Sequence, residues 1–282
     1  MVYYYRVLTL TAALLLTFDY VASDDLDALD LLRVALLAIT SFGIAWGATL
    51  AFAGLFARDP KAPPPGPLSA PRRTAVLVPI YNEDPVATFS RVSAMSDSLA
   101  ATGQQDAFHF VILSDTRSDE IAAQEEAWFL RLVRETGAEG RMFYRRRQAN
   151  HGRKAGNVAD FVRRSGGNYD FLLILDADSL VEGATMVEMA RRMDAEPTVG
   201  LIQTLPKVIN AKTWFGRSMQ FASWFFAPSF SRGLAAVQGT AGTFWGHNAI
   251  VRTEAFAATC GLPKLSGKPP FGGDILSHDY VE

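Results

Sequence analysis

Residues 34 to 56, VALLAITSFGIAWGATLAFAGLF, contain no charged side chain. A helix needs about 20 apolar residues, rising 1.5 Å each, to cross the ~30 Å hydrocarbon core of a bilayer. This run therefore predicts a membrane-spanning helix. A second apolar stretch, VLTLTAALLLTF at 7–18, is shorter. It reaches spanning length only with Tyr3, Tyr4, Tyr5 and Tyr20 at the interfaces, where tyrosine is favoured. The segment between the two is acidic, DDLDALD, whereas Arg58, Lys61, Arg72 and Arg73 follow the second. Positive residues stay on the cytoplasmic side. The chain is thus expected to start inside, loop out and return. A signal peptide is the alternative for the first stretch, but no small-residue cleavage site precedes the acidic loop. Residues 1–58 are read as two transmembrane helices with a short periplasmic loop, and the lipid bilayer as a partner.

The next segment, KAPPPGPLSAPRR, is too rich in proline for a helix and reads as a stiff linker over residues 59–72. A cytoplasmic domain is then expected over residues 73–282. Hydrophobic residues make up 49% of the chain and charged ones 20%, which argues against a wholly disordered protein. The net charge of −2 carries no electrostatic footprint for nucleic acid. The one cysteine, Cys260, cannot form an internal disulfide, which fits a reducing compartment. It reads as a small packed or surface residue. The sequence stops at GGDILSHDYVE just after a charged cluster, so a carboxy-terminally truncated domain is expected.

Within residues 73–282, short β-rich apolar runs occur at Ala75–Val78, Phe108–Leu113, Met142–Tyr144, Phe171–Leu175 and Val199–Gln203. Amphipathic runs at Ala87–Thr102, Asp119–Thr136, Gly156–Arg164 and Gly183–Asp194 separate them. This alternation predicts an α/β fold, a Rossmann-like, mainly parallel sheet flanked by helices. Ligands in such sheets bind beyond the carboxyl ends of the strands. There the sequence places Pro79-Ile80-Tyr81-Asn82-Glu83, Ser114-Asp115-Thr116, Arg145-Arg146-Arg147 and Asp176-Ala177-Asp178.

Asp176 and Asp178, at i and i+2 on an extended segment, point the same way. Their repulsion is costly unless a cation lies beside them. Hard divalent ions take oxygen ligands, and Mg²⁺ typically uses one or two carboxylates plus substrate phosphates. The alternative is a solvated turn with Asp178 or Ser179 capping the next helix. ANHGRKAGNVADF, residues 149–161, brings Lys154 to a glycine-punctuated helix start suited to phosphate oxygens, although it matches neither the P-loop nor the dinucleotide fingerprint. It also reads as a flexible surface loop. Arg145–Arg147 reads either as a solvated run or as a diphosphate or anionic-lipid contact. PPFGGDILSHDYVE holds Asp274, His278 and Asp279, which belong either to a site or to an exposed turn.

Taken in order, AVLVPIYNE, Asp115, GRKAGN, DAD and SHD resemble the landmarks of a processive family 2 glycosyltransferase with a GT-A fold. The wording of TAVLVPIYNEDP, ILSDTRSDEIAAQEE, RRRQANHGRKAGNVADF, QGTAGTFWGHNAIVR and FGGDILSHDYVE is nearest to the inner-membrane enzymes that build the glucose backbone of osmoregulated periplasmic glucans. The resemblance covers nearly all of residues 73–282. It implies Pro79, Tyr81 and Glu83 beside the nucleoside, Asp115 on the uridine and Lys154 near the diphosphate. It also implies Asp176 and Asp178 on a metal–diphosphate group, Asp178 the more direct ligand, with Mg²⁺ or Mn²⁺ as cofactor. Asp279 stands where relatives carry the catalytic base. His278 either positions Asp279 or caps a helix. Trp245 either stacks on the acceptor or, with Phe244, belongs to the core.

The implied reaction is inverting transfer of glucose from UDP-glucose to a growing β-glucan at the bacterial inner membrane, with acyl carrier protein as a further partner. A cellulose- or hyaluronan-like synthase and a non-catalytic nucleotide-sugar-binding membrane protein are the alternatives. The family's Q-x-x-R-W element and its further transmembrane helices are not found in this sequence.

Overall fold

The computed structural model describes residues 9–18, 29–58, 63, 66, 68, 72–259, 266, 267 and 272. The described parts fall into two compact units: Met1–Lys61 with Leu205–Gly242, and Ala62–Thr204 with Thr243–Glu282.

The second unit is built on a six-stranded sheet of order β3-β2-β1-β4-β6-β5. The strands are β1 Thr74–Ile80, β2 Phe108–Ser114, β3 Met142–Arg146, β4 Phe171–Ile174, β5 Leu201–Gln203 and β6 Ala249–Arg252. The helices are α3 Pro85–Ala100, α4 Asp119–Thr136, α5 Arg153–Ser165, α6 Gly183–Ala195 and α9 Thr253–Thr259. All seven residues of β1 are buried, because both faces of the sheet are covered. Side chains alternate along the strand. Val76, Val78 and Ile80 accordingly pack with Phe89, Leu132 and Met186 from α3, α4 and α6. Ala75 and Leu77 face the other way, toward Val158 and Phe161 of α5 and Phe256 of α9. Phe89, Phe108 and Phe171 are fully buried, each a truncation site worth about 3–5 kcal/mol. Local chemistry starts the helices: the Asp84 carboxylate accepts from the Val86 N–H at 2.9 Å, and Ser118 caps α4 through the Ile121 N–H. Of the segment 59–72, the Leu68 N–H donates to Gln104 and the Gly66 carbonyl accepts from Arg191.

The expected order of strands and helices holds as far as β5. The sheet differs at one edge. β6, which the apolar periodicity did not signal, pairs antiparallel with both β4 and β5. The other three pairings are parallel. α5 also starts at Arg153, ahead of Gly156.

The first unit contains α1 Thr9–Phe18, α2 Asp30–Phe56, α7 Trp214–Phe225 and α8 Ala227–Gln238. Among the described residues one helix, Leu32–Phe56, is long and apolar enough to cross a membrane; Thr9–Phe18 is apolar but shorter. α8 lies against α2 with glycine on both sides. A Cβ on Gly54 would come within 1.7 Å of the Ser229 carbonyl oxygen, and one on Gly233 within 1.8 Å of that of Leu50. α7 and α8 lie beyond the strand and helix alternation that the sequence predicts. Trp214, Phe221 and Phe225 of α7 recur at helical spacing and are all exposed, Trp214 at 92%.

Candidate active site

Parallel strands deliver the loops after β1, β2, β3 and β4 to one edge of the sheet. There Pro79, Ile80, Tyr81 and Glu83 line a cavity of about 740 Å³ together with Asp115, Arg117, Asn150, Arg153, Lys154, Asp176, Ala177 and Asp178. Six of the residues assigned to the nucleotide and the metal–diphosphate group, together with Asp178, therefore share one space.

Asp115 follows β2 directly and is 5% exposed. Such a carboxylate needs a partner, and it has one. Arg147 grips it as a fork, Nε to Oδ1 and Nη2 to Oδ2, both at 2.7 Å. Arg147 also donates to the backbone carbonyls of His151 and Arg153. The arginine run is neither a solvated loop nor a free anion contact. β3 pairs with β2 in register up to Ser114 and Arg146, and strand alternation splits the run. Arg145 turns to Asp160 at 2.7 Å, as Arg147 turns to Asp115, while Arg146 turns the other way to Asp119 at 2.8 Å and to the Thr116 carbonyl.

Lys154 sits in the first turn of α5, where backbone N–H groups lack intrahelical partners. Its ammonium donates to Asp176 Oδ1 and to the Gly246 carbonyl, the latter at 2.7 Å. Gly156 makes this turn possible, since a Cβ there would come within 2.0 Å of the His151 carbonyl oxygen. Arg153, beside the cavity, holds a left-handed φ of 51°, a strained position for a residue with a side chain.

Asp176 opens a tight turn in which its N–H donates to Ser179 Oγ and its carbonyl accepts from the Ser179 N–H. Neither Asp178 nor Ser179 caps α6, whose first flanking residue is Glu182. Asp178 is exposed and makes no hydrogen bond or ion pair among the described residues. Its oxygens are available to a hard cation. Among the described residues no group of three or more His, Cys, Asp and Glu side chains could hold a metal by itself. Asp178 with Asp176 thus supplies two oxygen-bearing groups and leaves other positions to a ligand's phosphates, which suits Mg²⁺ or Mn²⁺.

An antiparallel strand begins where its parallel neighbours end, so the residues before β6 reach the same edge. The Gly246 carbonyl receives Lys154, and His247 Nδ1 lies 3.8 Å from Asp176 Oδ2. Trp245 belongs to this loop, with its N–H on Gln203 Oε1, but it does not line the cavity. Phe244 is buried edge-on against Phe256 in the core. Arg117, Asn150, Arg153, Arg147 and His247 were not singled out from the sequence as individual site residues. The one available signal was the β2–β3 register, which brings Arg147 beside Asp115. Asp279, His278, Asp274 and Cys260 lie outside the described residues.

Residues 75–259 match the family described as Glycosyl transferase family 2. The chain is similar to a Cereibacter sphaeroides protein named Glucans biosynthesis glucosyltransferase H, 58% identical over 282 residues, covering 98% of this chain and 47% of that protein. A Shewanella sp. protein of the same name is 51% identical over 257 residues, covering 90% and 35%. The chain spans about half the length, or less, of these curated relatives. Among solved structures it is similar to mannosyltransferase PcManGT from Pyrobaculum calidifontis, in complex with GDP-Man and Mn²⁺. The TM-score is 0.54 at 19% identity, covering 80% of this chain and 58% of that one, a likeness of fold.

Proposed function

We propose, for a chain that belongs to glycosyl transferase family 2 and has a GT-A-type fold, that the cavity binds UDP-glucose and transfers its glucose, with inversion, to a growing β-glucan. The observation that carries this reading is the meeting of Tyr81, Glu83, Asp115, Lys154, Asp176 and Asp178, from four separate loops, around one cavity. The name shared by the Cereibacter and Shewanella relatives supports glucose as the sugar and glucan as the product.

In this reading Pro79, Tyr81 and Glu83 form the nucleoside wall, and the Asp115–Arg147 pair receives the uridine. Lys154 and the free N–H groups of the first turn of α5 meet the diphosphate and hold the charge that grows on departing UDP. Asp178 and Asp176 would hold Mg²⁺ or Mn²⁺, which when bound neutralises diphosphate charge. Asp279 takes the proton from the acceptor hydroxyl. That oxygen bonds to the anomeric carbon as the bond from the same carbon to the diphosphate oxygen breaks. Attack opposite the leaving group turns the α-linkage to β. A positioned base of this kind contributes about 10²–10⁴-fold. Trp245, on the loop whose neighbours reach Lys154 and Asp176, faces the acceptor.

A bacterial inner-membrane setting with the catalytic domain on the cytoplasmic side belongs to the same proposal. The charge-free run 34–56 within α2 and the exposed aromatic residues of α7 support it. Lys207 stacks 3.9 Å over the Trp224 ring, a pairing suited to the headgroup boundary.

Isothermal titration of the chain with UDP-glucose and with UDP-N-acetylglucosamine, each with and without Mg²⁺, tests the reading. Mg²⁺-dependent binding that favours UDP-glucose is expected. Binding of neither nucleotide sugar with any divalent cation would overturn it.

A further inference from the structure

Glu125 lies on α4, is 1% exposed and does not line the cavity. Three hydroxyls converge on its carboxylate. Ser114 Oγ and Tyr144 OH donate to Oε2 at 2.7 and 2.8 Å, and Thr116 Oγ1 donates to Oε1 at 2.6 Å. Burial, opposed in part by the Ser114 hydroxyl and reinforced by the Glu125 carboxylate, pushes the Tyr144 phenol above its ordinary value, so it remains a donor.

A carboxylate only accepts. Each hydroxyl therefore commits its single proton to Glu125 and presents lone pairs elsewhere. Thr116 Oγ1 uses one to accept the Asn82 N–H at 2.9 Å, and Ser114 Oγ accepts the Thr116 N–H at 3.2 Å. Asn82, held at a left-handed φ of 54°, accepts at Oδ1 the N–H groups of Arg117 and Ser118. Two loops are stitched together in this way. One carries Tyr81 and Glu83, the other Asp115 and Arg117, and all four residues line the cavity. Burying a carboxylate with no cation bonded to it is costly, and packing alone would be served as well by glutamine. A glutamine amide would instead donate to at least one of the three hydroxyl oxygens, so residue 125 would no longer hold all three hydroxyl protons.

We infer that Glu125 is a positioning residue for nucleotide binding, acting through the Thr116 hydroxyl to fix the two loops that hold the nucleoside. The inference rests on the sugar-nucleotide reading of the cavity.

The test uses the full chain, UDP with Mg²⁺ as the probe, calorimetry for affinity and thermal melting for the fold. Glu125→Gln and Thr116→Val are each expected to raise the Kd for UDP about tenfold, the loss of one committed hydrogen bond. Thr116→Ser, which keeps the hydroxyl, is expected to restore affinity to within about twofold. Tyr144→Phe removes a donor to Glu125 but leaves Thr116 tied. It is expected to lower the melting temperature with UDP affinity held within about twofold. Folded Thr116→Val that binds UDP as the unsubstituted chain does would overturn the assignment, even if Glu125→Gln does not fold. Equal weakening by Tyr144→Phe and Thr116→Val would overturn it too, because the effect would then be general loosening. Failure of the unsubstituted chain to bind UDP would overturn the sugar-nucleotide reading and this assignment with it.

Discussion

Arg147 occupies both carboxylate oxygens of Asp115, at 2.7 Å each, and its guanidinium also reaches the carbonyls of His151 and Arg153. One side chain thus joins the Asp115 end of the cavity to the turn that carries Lys154. Arg147→Ala would leave the buried Asp115 charge unpaired and is expected to destabilise the domain by about 3 kcal/mol. Arg147→Lys keeps the charge but not the fork, and is expected to retain the fold while weakening UDP about tenfold. Denaturant unfolding and titration separate the two effects.

Asp178 is the exposed, unpaired member of the acidic pair, whereas Asp176 is bonded to Lys154. Asp178→Ala should abolish the Mg²⁺-dependent part of UDP affinity while leaving the metal-independent part intact. Lys154→Ala should weaken UDP under both conditions, by about tenfold for the loss of a charge-assisted contact. Paired titrations with and without Mg²⁺ check both.

Asp279→Asn keeps the size of the side chain and removes the proton acceptor. Under the proposed glucosyl transfer, it should lower the rate by at least about 10²-fold with UDP affinity unchanged. Transfer of radiolabelled glucose into polymer, measured beside UDP titration, decides the role.

Asp170 clamps the entry to β1. Burial alone would raise its carboxyl, but the Arg73 N–H and the Arg72 guanidinium hold it below the usual carboxylate range. A group with a depressed folded value stabilises fully above its unfolded value and loses that contribution as pH falls through the folded one. The stability gap between the unsubstituted chain and Asp170→Asn should therefore stay constant at neutral pH and close below about pH 4. Urea unfolding across that range measures it.

Gly233 faces the Leu50 carbonyl with no room for a side chain. Gly233→Ala should force α8 from α2 and lower the thermal transition in detergent, a cost of about 1–3 kcal/mol from overpacking. Gly47, with open space around its added Cβ, is the control position.

The strands most legible in the sequence were those buried on both faces. β1, β2 and β4 read as continuous apolar runs because helices cover both sides, and their ends fixed where Tyr81, Asp115 and Asp176 had to emerge. β6 has four residues and owes its existence to distant partners, β4 and β5, so no local pattern announced it. Arg147 was hidden in a run of three identical side chains. Only the alternation of β3 against β2 separates its direction from that of Arg146. The Lys154–Asp176 bond spans 22 residues, a contact that spacing could not reveal. Glu125 lies inside the amphipathic run Asp119–Thr136 with no local pattern to mark it, because Ser114, Thr116 and Tyr144, which surround it, come from β2, the loop that follows it and β3.

The chain leaves the sheet at Thr204 and re-enters at Asn248, yet these two residues touch: the Thr204 N–H donates to the Asn248 carbonyl at 3.2 Å. Everything between them, α7 and α8 included, is a detour with adjoining feet. Its last residues, 243–247, belong to the sheet domain, because Phe244 packs in the core and the Gly246 carbonyl accepts from Lys154; residues 205–242 carry no rung of the β5–β6 ladder and are the part that can be excised. Freeing the sheet domain of both the amino-terminal apolar helices and the aromatic hairpin therefore takes two deletions, residues 1–61 and 205–242.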